Sequence, residues 1–600
     1  METGAGGAER ANAAGDLLAR HWRSVTVAIW LAACVWLLWQ RWGGIHWFSL
    51  GDTDDNMRIS QVRAWLNGQG WYDLRQYKLN PPQGFDIHWS RLVDLPIAGI
   101  ILLVRPFFGG RIAEQAAVAI APLIPLLLAL VAAALTARRL IHPRAYLVAC
   151  GMVLCCQVAL DMFRPLRIDH HGWQLAFLML TIAGLADPER VRGGITVGIA
   201  SALSLAIGLE LLPYIAVAGS SIALRWIWRQ EAKPRLVSYA VSFAAASALA
   251  FAVFASYANR APVCDALSPV WLSTILVGCA GLMLLSQIDP ARWPARLLWA
   301  LGAGAVATGF YWFTWPHCRG RLEGVSPELY KLWLSNVREA RPIYMQNAET
   351  IIAALTVPTI GLIGAGWAIW RARRDEAVYC WSSIVVLSLF SVGMLFWQVR
   401  AGPAAQLIGV TGAAFLGWHL IAWFAASKRM PVRVFGIVGA FLLVSGIASY
   451  GVFPLLPKEQ KKDKAFWDKV ERANRTCPTL PSLHPIALLP PATVMTFVDL
   501  GPRLITVTHH KAIAGPYHRN QQAILDIHHA FDGPPEQARA IAKRHGATLL
   551  LVCPYMSEST LYRSRSPKGF YAQLERGKRF PWLEPVPLPK GSPYWLWRIK

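Results

Sequence analysis

Residues 51–96 read GDTDDNMRISQVRAWLNGQGWYDLRQYKLNPPQGFDIHWSRLVDLP, and this stretch decides how the rest of the chain is interpreted. Three carboxylates, those of Asp52, Asp54 and Asp55, lie within four residues directly after a long apolar segment. Ionised groups beside a bilayer are costly unless they are paired, hydrated or bound to a cation. These carboxylates therefore need a cation, a basic partner or water.

The chain as a whole is apolar. Of its 600 residues, 54% are hydrophobic and only 16% are charged, whereas a soluble protein is nearer a quarter charged. Apolar runs recur at lengths near the roughly 20 residues that a bilayer requires. The sequence predicts a polytopic α-helical membrane protein with about 13 transmembrane helices, over residues 25–40, 115–136, 145–163, 173–185, 195–208, 211–224, 239–257, 270–285, 297–315, 351–370, 378–397, 406–426 and 435–450.

The positive charge of the chain reports on topology. The net charge is +24, and much of it lies in short loops between apolar helices, where Lys and Arg mark the cytoplasmic side. Nucleic acid is therefore not an expected partner. The same rule assigns the apolar run 95–108 to the membrane surface, because a spanning helix there would turn every later basic loop outward.

One orientation then satisfies all the loops. Residues 1–24 form a cytoplasmic N-terminus without an evident cleavable signal, and residues 25–453 form the transmembrane domain. Its first outer loop covers residues 43–114, and a second long outer loop covers residues 316–350. Short apolar runs between turns in residues 454–600 predict a small α/β domain outside the membrane. We expect an integral protein of the inner (cytoplasmic) membrane with this domain in the periplasm.

The cysteines show no CxxC pair and no zinc spacing. Four of the ten lie outside the predicted helices on the outer side, where disulfides are possible: Cys264, Cys318, Cys477 and Cys553. We predict a disulfide between Cys264 and Cys318.

The outer loops contain the residues that are suited to catalysis and to metal binding. Asp169 and His171 stand together in a second outer segment, Glu339 lies in the long outer loop, and Arg400 follows an outer helix end. Carboxylates and imidazoles from separate loops can converge on Mg²⁺ or Mn²⁺, which neutralises charge on a phosphate leaving group. A further carboxylate can activate an acceptor, and arginine matches the oxygens of phosphate.

Each of these residues also has a simpler explanation as a helix cap, an ion pair or a solvated side chain. Asp52–Asp55 can cap a helix over residues 56–66, with Asp55 as the favoured cap. Arg400 can be an interfacial residue whose charge reaches water. The remaining acids can be ion-pair partners: Asp169 of Arg164 or Arg167, Glu339 of Arg338 or Arg341, and Glu210 of a buried base.

The arrangement resembles the GT-C superfamily of polyprenyl-phosphate-dependent glycosyltransferases, and most of all the catalytic subunits of oligosaccharyltransferases. The resemblance rests on the cytoplasmic start of the first helix, the acidic first outer loop, about 13 spans and an outer α/β domain. Thr496-Phe-Val-Asp-Leu-Gly-Pro stands where that family has a tryptophan-tryptophan-aspartate motif. No tryptophan pair precedes Asp499, so an Asn-x-Ser/Thr acceptor is not expected.

The resemblance, taken with the outer-loop chemistry, implies roles for individual residues. Asp52, Asp54 and Glu339 are the candidate catalytic residues. Asp54, Asp169 and His171 are the candidate ligands of Mn²⁺ or Mg²⁺. The candidate substrate contacts are Arg400, His88, Trp89, Asp499, His518 and Arg519.

We therefore predict an inverting, metal-assisted glycosyltransferase in contact with membrane lipids. It moves a sugar or oligosaccharide from a polyprenyl-(pyro)phosphate donor to a protein, lipid or glycan acceptor at the extracytoplasmic membrane face. A membrane transporter or lipid flippase is the alternative, although ionisable residues would then be expected near mid-bilayer rather than at helix ends. A scaffold or sensor whose active part is the tail would leave the outer-loop acids dispensable.

Overall fold

The computed structural model describes residues 16–320, 324–457 and 463–600, and most of these residues are helical. Among them, nine helices are long and apolar enough to cross a membrane, or up to eleven if two bent pairs each form one span. The helices of the membrane part are Trp22–His46, Asp94–Ile120, Leu123–Leu140, Tyr146–Cys155, Gln157–Leu160, His171–Leu185, Arg190–Ile207, Leu212–Trp228, Lys233–Phe254, Pro269–Ile288, Trp293–Thr314, Ala348–Arg371, Ala377–Leu395, Gly402–Ala425, Met430–Val444 and Ile447–Tyr450.

The helices confirm the predicted polytopic α-helical membrane protein, but they do not confirm the predicted count of 13 spans within the described residues. Two of the predicted spans are short helices, His171–Leu185 with 15 residues and Leu212–Trp228 with 17. Two others are bent, by 74° after Cys155 and by 77° after Val444. These lengths fall short of the roughly 20 residues that a straight crossing requires.

The predicted surface segment 95–108 begins a helix that breaks at Gly109. The backbone at Gly109 has φ 77°, a left-handed value that glycine tolerates, and Pro106 precedes it. Asp94–Leu140 comprises 47 residues, which as one straight helix would measure about 70 Å, more than twice the hydrocarbon core. The break allows residues 95–108 to lie along the surface, and that placement stays a prediction.

Glycine residues allow two membrane helices, Ala348–Arg371 and Gly402–Ala425, to pack closely against each other. A Cβ at Gly361 or Gly364 would clash with the backbone of the helix Gly402–Ala425, at Gly409 and Gly412 respectively. Small residues allow this close approach of helix backbones in a membrane. The helix Gly402–Ala425 begins two residues after Arg400, so the contact also fixes the position of Arg400.

The tail forms the predicted α/β unit around a mixed sheet. Its strands are β3 (Thr493–Met495), β4 (Lys511–Ala512), β5 (Leu549–Val552), β6 (Leu583–Pro585) and β7 (Trp595–Ile599), in the order β4-β3-β5-β7-β6. The central strands β4, β3 and β5 are parallel, and β7 and β6 are antiparallel to their neighbours. The helices outside the membrane part are Thr53–Leu66, Pro327–Leu332, Lys464–Thr476, Leu480–Ala487, Gly501–Val507, Gln521–Asp532, Pro535–Arg544, Ser557–Arg565 and Phe570–Glu575.

The tail and the first outer loop share one hydrophobic core. A small hairpin of the loop, β1 (Arg75–Gln76) with β2 (Phe85–Asp86), packs against the tail, where Phe85 stacks on Tyr517 with ring centroids 5.7 Å apart. The amide of Ala512 donates a hydrogen bond of 2.9 Å to the carbonyl of Lys78, which extends the sheet beside β4. The first outer loop is therefore a structural part of the tail domain.

Both pairs of outer cysteines are joined. The predicted disulfide between Cys264 and Cys318 is confirmed, with Cα atoms 5.4 Å apart. A second disulfide, which the sequence analysis did not predict, joins Cys477 to Cys553 across the tail.

A buried ion cluster stabilises the first outer loop. Asp94 accepts hydrogen bonds from Arg58 at 2.9 Å and from Arg91 at 3.2 Å, and these three side chains are almost wholly inaccessible to water. Arg58 also stacks over Trp89 at 4.3 Å. Such a cluster fixes the loop, since removal of the carboxylate would leave two buried cations without a negative charge beside them.

Replacing Asp94 with alanine should destabilise the protein strongly. Loss of one member of a buried ion pair costs about 3–5 kcal/mol, so we expect a clear fall in Tm during thermal unfolding in detergent. Asp86→Ala is the matched control, because the Asp86–Arg75 pair in the same loop is exposed and such pairs contribute about 0–1 kcal/mol. An equal fall in both variants would contradict this interpretation.

Candidate active site

The acidic helix (Thr53–Leu66) begins three residues earlier than predicted, and Asp52 caps it. The Asp52 carboxylate accepts a hydrogen bond of 3.0 Å from the amide of Asp54. The prediction that Asp55 is the cap was therefore wrong. Asp55 is buried instead, and it accepts a hydrogen bond of 3.1 Å from the amide of Asp169.

Arg167 lies among three of the predicted acids. Its guanidinium forms ion pairs with Asp52, with Asp169 at 2.8 Å and with Asp55 at 3.7 Å. The pairing of Asp169 with Arg167, considered as an alternative from the sequence, is present. One positive charge serves three carboxylates, so the group keeps an excess of negative charge.

Asp54 is the carboxylate that this arrangement leaves without a partner. In residues 16–320, 324–457 and 463–600, no hydrogen bond or ion pair reaches its side chain, which is partly accessible to water. Burial, followed by the negative charges of Asp52, Asp169 and Glu339, raises the pKa of Asp54 to about 7. Such a carboxyl group can take up and release a proton near neutral pH.

The two histidines of the second outer segment have different environments. His170 Nε2 lies 3.0 Å from an oxygen of Glu210, whose other oxygen accepts a hydrogen bond of 2.7 Å from Gln174. Burial opposes protonation of His170, but the Glu210 carboxylate outweighs it and raises the pKa of the imidazole. The amide of His171 donates a hydrogen bond of 3.0 Å to the carboxylate of Asp169, and the ring centroids of His170 and His171 are 4.3 Å apart. Glu210 is thus a pairing acid, as the sequence indicated.

Glu339 and Arg400 meet each other. Arg400 donates a hydrogen bond of 2.9 Å to Glu339, so Glu339 pairs with neither Arg338 nor Arg341, the partners considered from the sequence. The amide of Val399 donates a hydrogen bond of 2.9 Å to the carbonyl of Arg341. This bond joins the long outer loop to the segment that precedes the helix Gly402–Ala425. The charge of Glu339 acts on Asp54, so the pair borders the same site.

The tail contributes Asp499, which lies in a short helical turn before the helix Gly501–Val507 and is exposed. Protein atoms packed around the Asp499 carboxyl group displace water from it, and the charge of Asp52 acts in the same direction. Together they raise the pKa of Asp499 to about 6. Glu558 holds this turn, because its two carboxylate oxygens accept the amides of Val498 at 2.9 Å and Asp499 at 2.8 Å. The sequence carried no signal for Glu558, which lies 59 residues from Asp499.

The other predicted substrate contacts lie beside one another at the junction with the tail. Trp89 is buried against His170, with ring centroids 5.5 Å apart, and His88 contacts His518 at 4.6 Å. His518 and Arg519 both bind Asp265, at 2.5 Å and 2.6 Å. Asp265 was missed by the sequence analysis, although its position next to the outer Cys264 could have indicated a structured loop.

The positions of the acids and histidines indicate where a divalent cation fits. In the described part of the chain, two groups of three have ligand atoms within 4.8 Å of one another: Cys264–His317–Cys318, whose cysteines form a disulfide, and His88–Asp265–His518. Asp54, Asp169 and His171 do not form such a group. The partnerless carboxylate of Asp54 beside an excess of negative charge nevertheless fits a divalent cation, because oxygen-rich anionic sites suit Mg²⁺ and Mn²⁺.

The similarity of the whole fold to known structures is clear, although the sequences have diverged. No protein-family model matches the chain, and no curated protein matches it either. The oligosaccharyltransferase AglB of Archaeoglobus fulgidus, in complex with an inhibitory peptide and a dolichol-phosphate, superposes with a TM-score of 0.64 at 13% identity, over 89% of this chain and 70% of that one. Its apo form gives a TM-score of 0.61 at 16% identity, over 88% and 69%.

The chain has the fold of an archaeal oligosaccharyltransferase. A further structure of that protein, the complex with Zn and sulfate, gives a TM-score of 0.58 at 14% identity, over 87% of this chain and 67% of that one. The similarity extends over the membrane part and the tail together, so the predicted architecture of a helical membrane domain followed by an α/β tail is confirmed. At this identity the comparison shows the fold, and the chemistry must be argued from the residues.

The raised pKa of Asp54 predicts a pH-dependent stability. The pKa is about 7 in the folded chain and about 3.9 in an unfolded one, so the folded state holds the proton more tightly and loses stability as pH rises from about 4 to 7. Asp54→Asn cannot ionise. Its Tm, measured with EDTA present, should exceed that of the wild type by more at pH 8 than at pH 5. Asp86→Asn is the control, and a pH-independent difference for Asp54→Asn would refute the assignment.

Proposed function

We propose that this protein is a glycosyltransferase of the extracytoplasmic membrane face. It transfers a sugar or oligosaccharide from a polyprenyl-phosphate or polyprenyl-pyrophosphate donor to an acceptor, with inversion at the anomeric carbon. In this proposal the N-terminus is cytoplasmic, the membrane is the inner membrane and the tail is periplasmic. The observation that carries the proposal is the partnerless carboxylate of Asp54, poised near neutral pH within the fold of an oligosaccharyltransferase.

The related structures support the classes of ligand. The Archaeoglobus fulgidus enzyme was solved with a dolichol-phosphate, with a tethered acceptor peptide containing the NVT sequon, and with Zn and sulfate. A lipid-linked donor fits this chain because its sequence has no Gly-rich phosphate loop for a nucleotide sugar. A polypeptide is the acceptor class favoured by these complexes, and a lipid or glycan acceptor is the alternative.

The proposed reaction is a single displacement at the anomeric carbon. A nucleophilic oxygen or nitrogen of the acceptor forms the new bond to this carbon, while the bond from the carbon to the phosphate oxygen breaks. Asp54 accepts the proton that the acceptor loses, because a general base works best with a pKa near the working pH. The electron pair of the broken bond remains on the lipid phosphate, which leaves as an anion.

The remaining residues hold these groups in place. Asp52 is occupied by the helix cap and by Arg167, so it positions the acidic helix rather than acting as the base. Arg400 stands opposite Glu339 at 2.9 Å and supplies positive charge for the lipid phosphate, with Glu339 orienting the guanidinium. In this proposal His88 borders the substrate site, and the buried Trp89 supports it between His88 and His170.

Asp54, Asp169 and His171 would hold a divalent metal, Mn²⁺ or Mg²⁺, beside the donor phosphate. When bound, such a cation neutralises the charge that develops on the leaving phosphate. Arg167 orients Asp169 for this task through their 2.8 Å ion pair.

The tail supplies the acceptor side of the proposal. Asp499 is exposed toward the charge of Asp52, on a turn that Glu558 holds by two backbone hydrogen bonds. We assign Asp499 to the binding of the acceptor. His518 and Arg519 are placed beside the substrate in this proposal, with the Asp265 contacts keeping them against His88.

Removal of the central acids should abolish transfer. Purified protein, a lipid-linked sugar and Mn²⁺ form the assay, with a mixture of peptide, lipid and glycan acceptors. Asp54→Ala and Asp169→Ala should each reduce the rate by about 10²–10⁴, the contribution expected of a positioned acid–base group. Asp73→Ala is the matched control, since Asp73 lies in the same outer loop and its carboxylate pairs with Tyr77 and the amide of Arg75.

Full activity in both Asp54→Ala and Asp169→Ala would overturn the catalytic assignment. Such a result would favour a transporter, a flippase or a scaffold, for which these acids are dispensable. Transfer that continues unchanged under strong chelation would remove only the metal from the proposal.

Substitution of Asp499 should act on acceptor binding alone. Asp499→Asn keeps the size of the side chain and removes its charge, so we expect a higher KM for the acceptor with kcat and the donor KM largely unchanged. Glu558→Gln, which weakens the support of the same turn, should shift the acceptor KM in the same direction. A fall in kcat without a change in KM would instead place Asp499 among the reacting groups.

A further inference from the structure

Three residues from distant parts of the chain meet where the tail contacts the membrane domain. His88 lies in the first outer loop, Asp265 lies between the helices Lys233–Phe254 and Pro269–Ile288, and His518 belongs to the tail. Each offers one ligand atom, and these atoms lie within 4.8 Å of one another. All three side chains are partly buried. None of them belongs to the acidic group around Asp54.

Two imidazoles and one carboxylate are a donor set that Zn²⁺ accepts readily. Zinc bonds of about 2.0–2.2 Å keep tetrahedral ligands about 3.3–3.5 Å apart. Nε2 of His518 and an oxygen of Asp265 are 2.5 Å apart, so this pair has to open by about 1 Å to admit the ion. The ring of His88, whose centroid is 4.6 Å from that of His518, has to reach the same spacing from both.

The ring of His88 is available for this purpose. Within the described residues it makes no hydrogen bond, and the one polar contact of His88 is its carbonyl, which accepts 3.1 Å from Asn259. Among the aromatic rings of the described residues, those of Trp89 and His518 lie beside it. An imidazole without a hydrogen-bond partner, held beside a carboxylate and a second imidazole, has a nitrogen lone pair that is free to bind a metal ion.

Arg519 is part of the same group, and it supports the site. Its guanidinium donates to both oxygens of Asp265, at 2.6 Å and 2.8 Å. Carboxylates that bind metals usually accept hydrogen bonds from such a neighbour, because each oxygen carries two lone pairs. The charge of Arg519 opposes a cation, while the negative charges of Asp265 and, more weakly, Glu210 act in the opposite direction at His88.

We propose that His88, Asp265 and His518 bind one Zn²⁺, which fastens the tail to the membrane domain. The disulfide between Cys264 and Cys318 anchors the loop next to Asp265, so the bound ion would tie the tail to a rigid part of the outer face. His88 and His518 would then act on a substrate through the cation rather than by direct hydrogen bonds. Zinc binding itself is independent of the proposed glycosyl transfer.

The experiment measures bound zinc on the full-length protein in detergent. The protein is stripped with EDTA, equilibrated with ZnCl₂ alone, desalted and analysed for metal content by mass spectrometry. His88→Ala and His518→Ala should each lose about one zinc per chain relative to the wild type. Because the His88 ring makes no hydrogen bond, His88→Ala should fold normally.

Control variants separate this site from the proposed catalytic one. Asp54→Ala and Asp169→Ala should keep the zinc that His88→Ala loses. His509→Ala should also keep it, because His509 bonds only the carbonyl of Leu489 in the tail. Zn²⁺ should further raise the Tm of the stripped wild type, and protect its tail from protease, without doing so for His88→Ala.

Two results would overturn the proposal. In the first, the only zinc that the stripped wild type takes up is the zinc that Asp54→Ala loses. In the second, His88→Ala and His518→Ala retain as much zinc as the wild type while both disulfides are intact. The ion pair of Asp265 with His518 and Arg519 would then hold the tail without a metal. Loss of glycosyl transfer in the Asp54 variant leaves the zinc result unaffected, so the two proposals fail separately.

Discussion

The guanidinium of Arg167 holds the outer face together, because it joins the acids of two separate loops. It contacts Asp52 and Asp55 at the start of the acidic helix and Asp169 in the next outer segment. A single cation cannot neutralise the whole group, and Asp54 lies beside it without a partner. The chemistry proposed for this protein follows from that imbalance, since burial and the neighbouring negative charges together raise the pKa of the unpaired Asp54 to about 7.

The acids occupy these positions because the loop that carries them is rigid. Asp94 pairs with Arg58 and Arg91 in its interior, and Arg58 stacks on Trp89. The opposite side of the loop packs into the core of the tail, where Ser60 and Thr506 share a hydrogen bond of 2.8 Å. A charged segment beside a membrane is thus shielded on one side by buried ion pairs and on the other by a folded domain.

Junctions between the tail and the membrane domain are polar as well as apolar. Asp265 receives His518 and Arg519 close to a disulfide, and Tyr517 donates a hydrogen bond of 2.9 Å to the carbonyl of Thr53 at the start of the acidic helix. Any movement of the tail would therefore move both the wall at His88 and the first turn that carries Asp54. The acceptor binding proposed for Asp499 and the chemistry proposed for Asp54 would be linked through this same contact.

By itself the sequence determined the helical membrane part and the α/β tail, and it indicated the Cys264–Cys318 disulfide and a group of acids in the loops between helices, because hydropathy and charge asymmetry act locally along the chain. Only the tertiary structure decided which acid is free. Asp52 rather than Asp55 caps the helix, Glu339 pairs with Arg400, and Asp265 and Glu558 emerge as supports. Apart from the helix cap, which is local, these contacts join residues 59 to 254 positions apart, and no local pattern specifies which of several arginines or amides a carboxylate will meet.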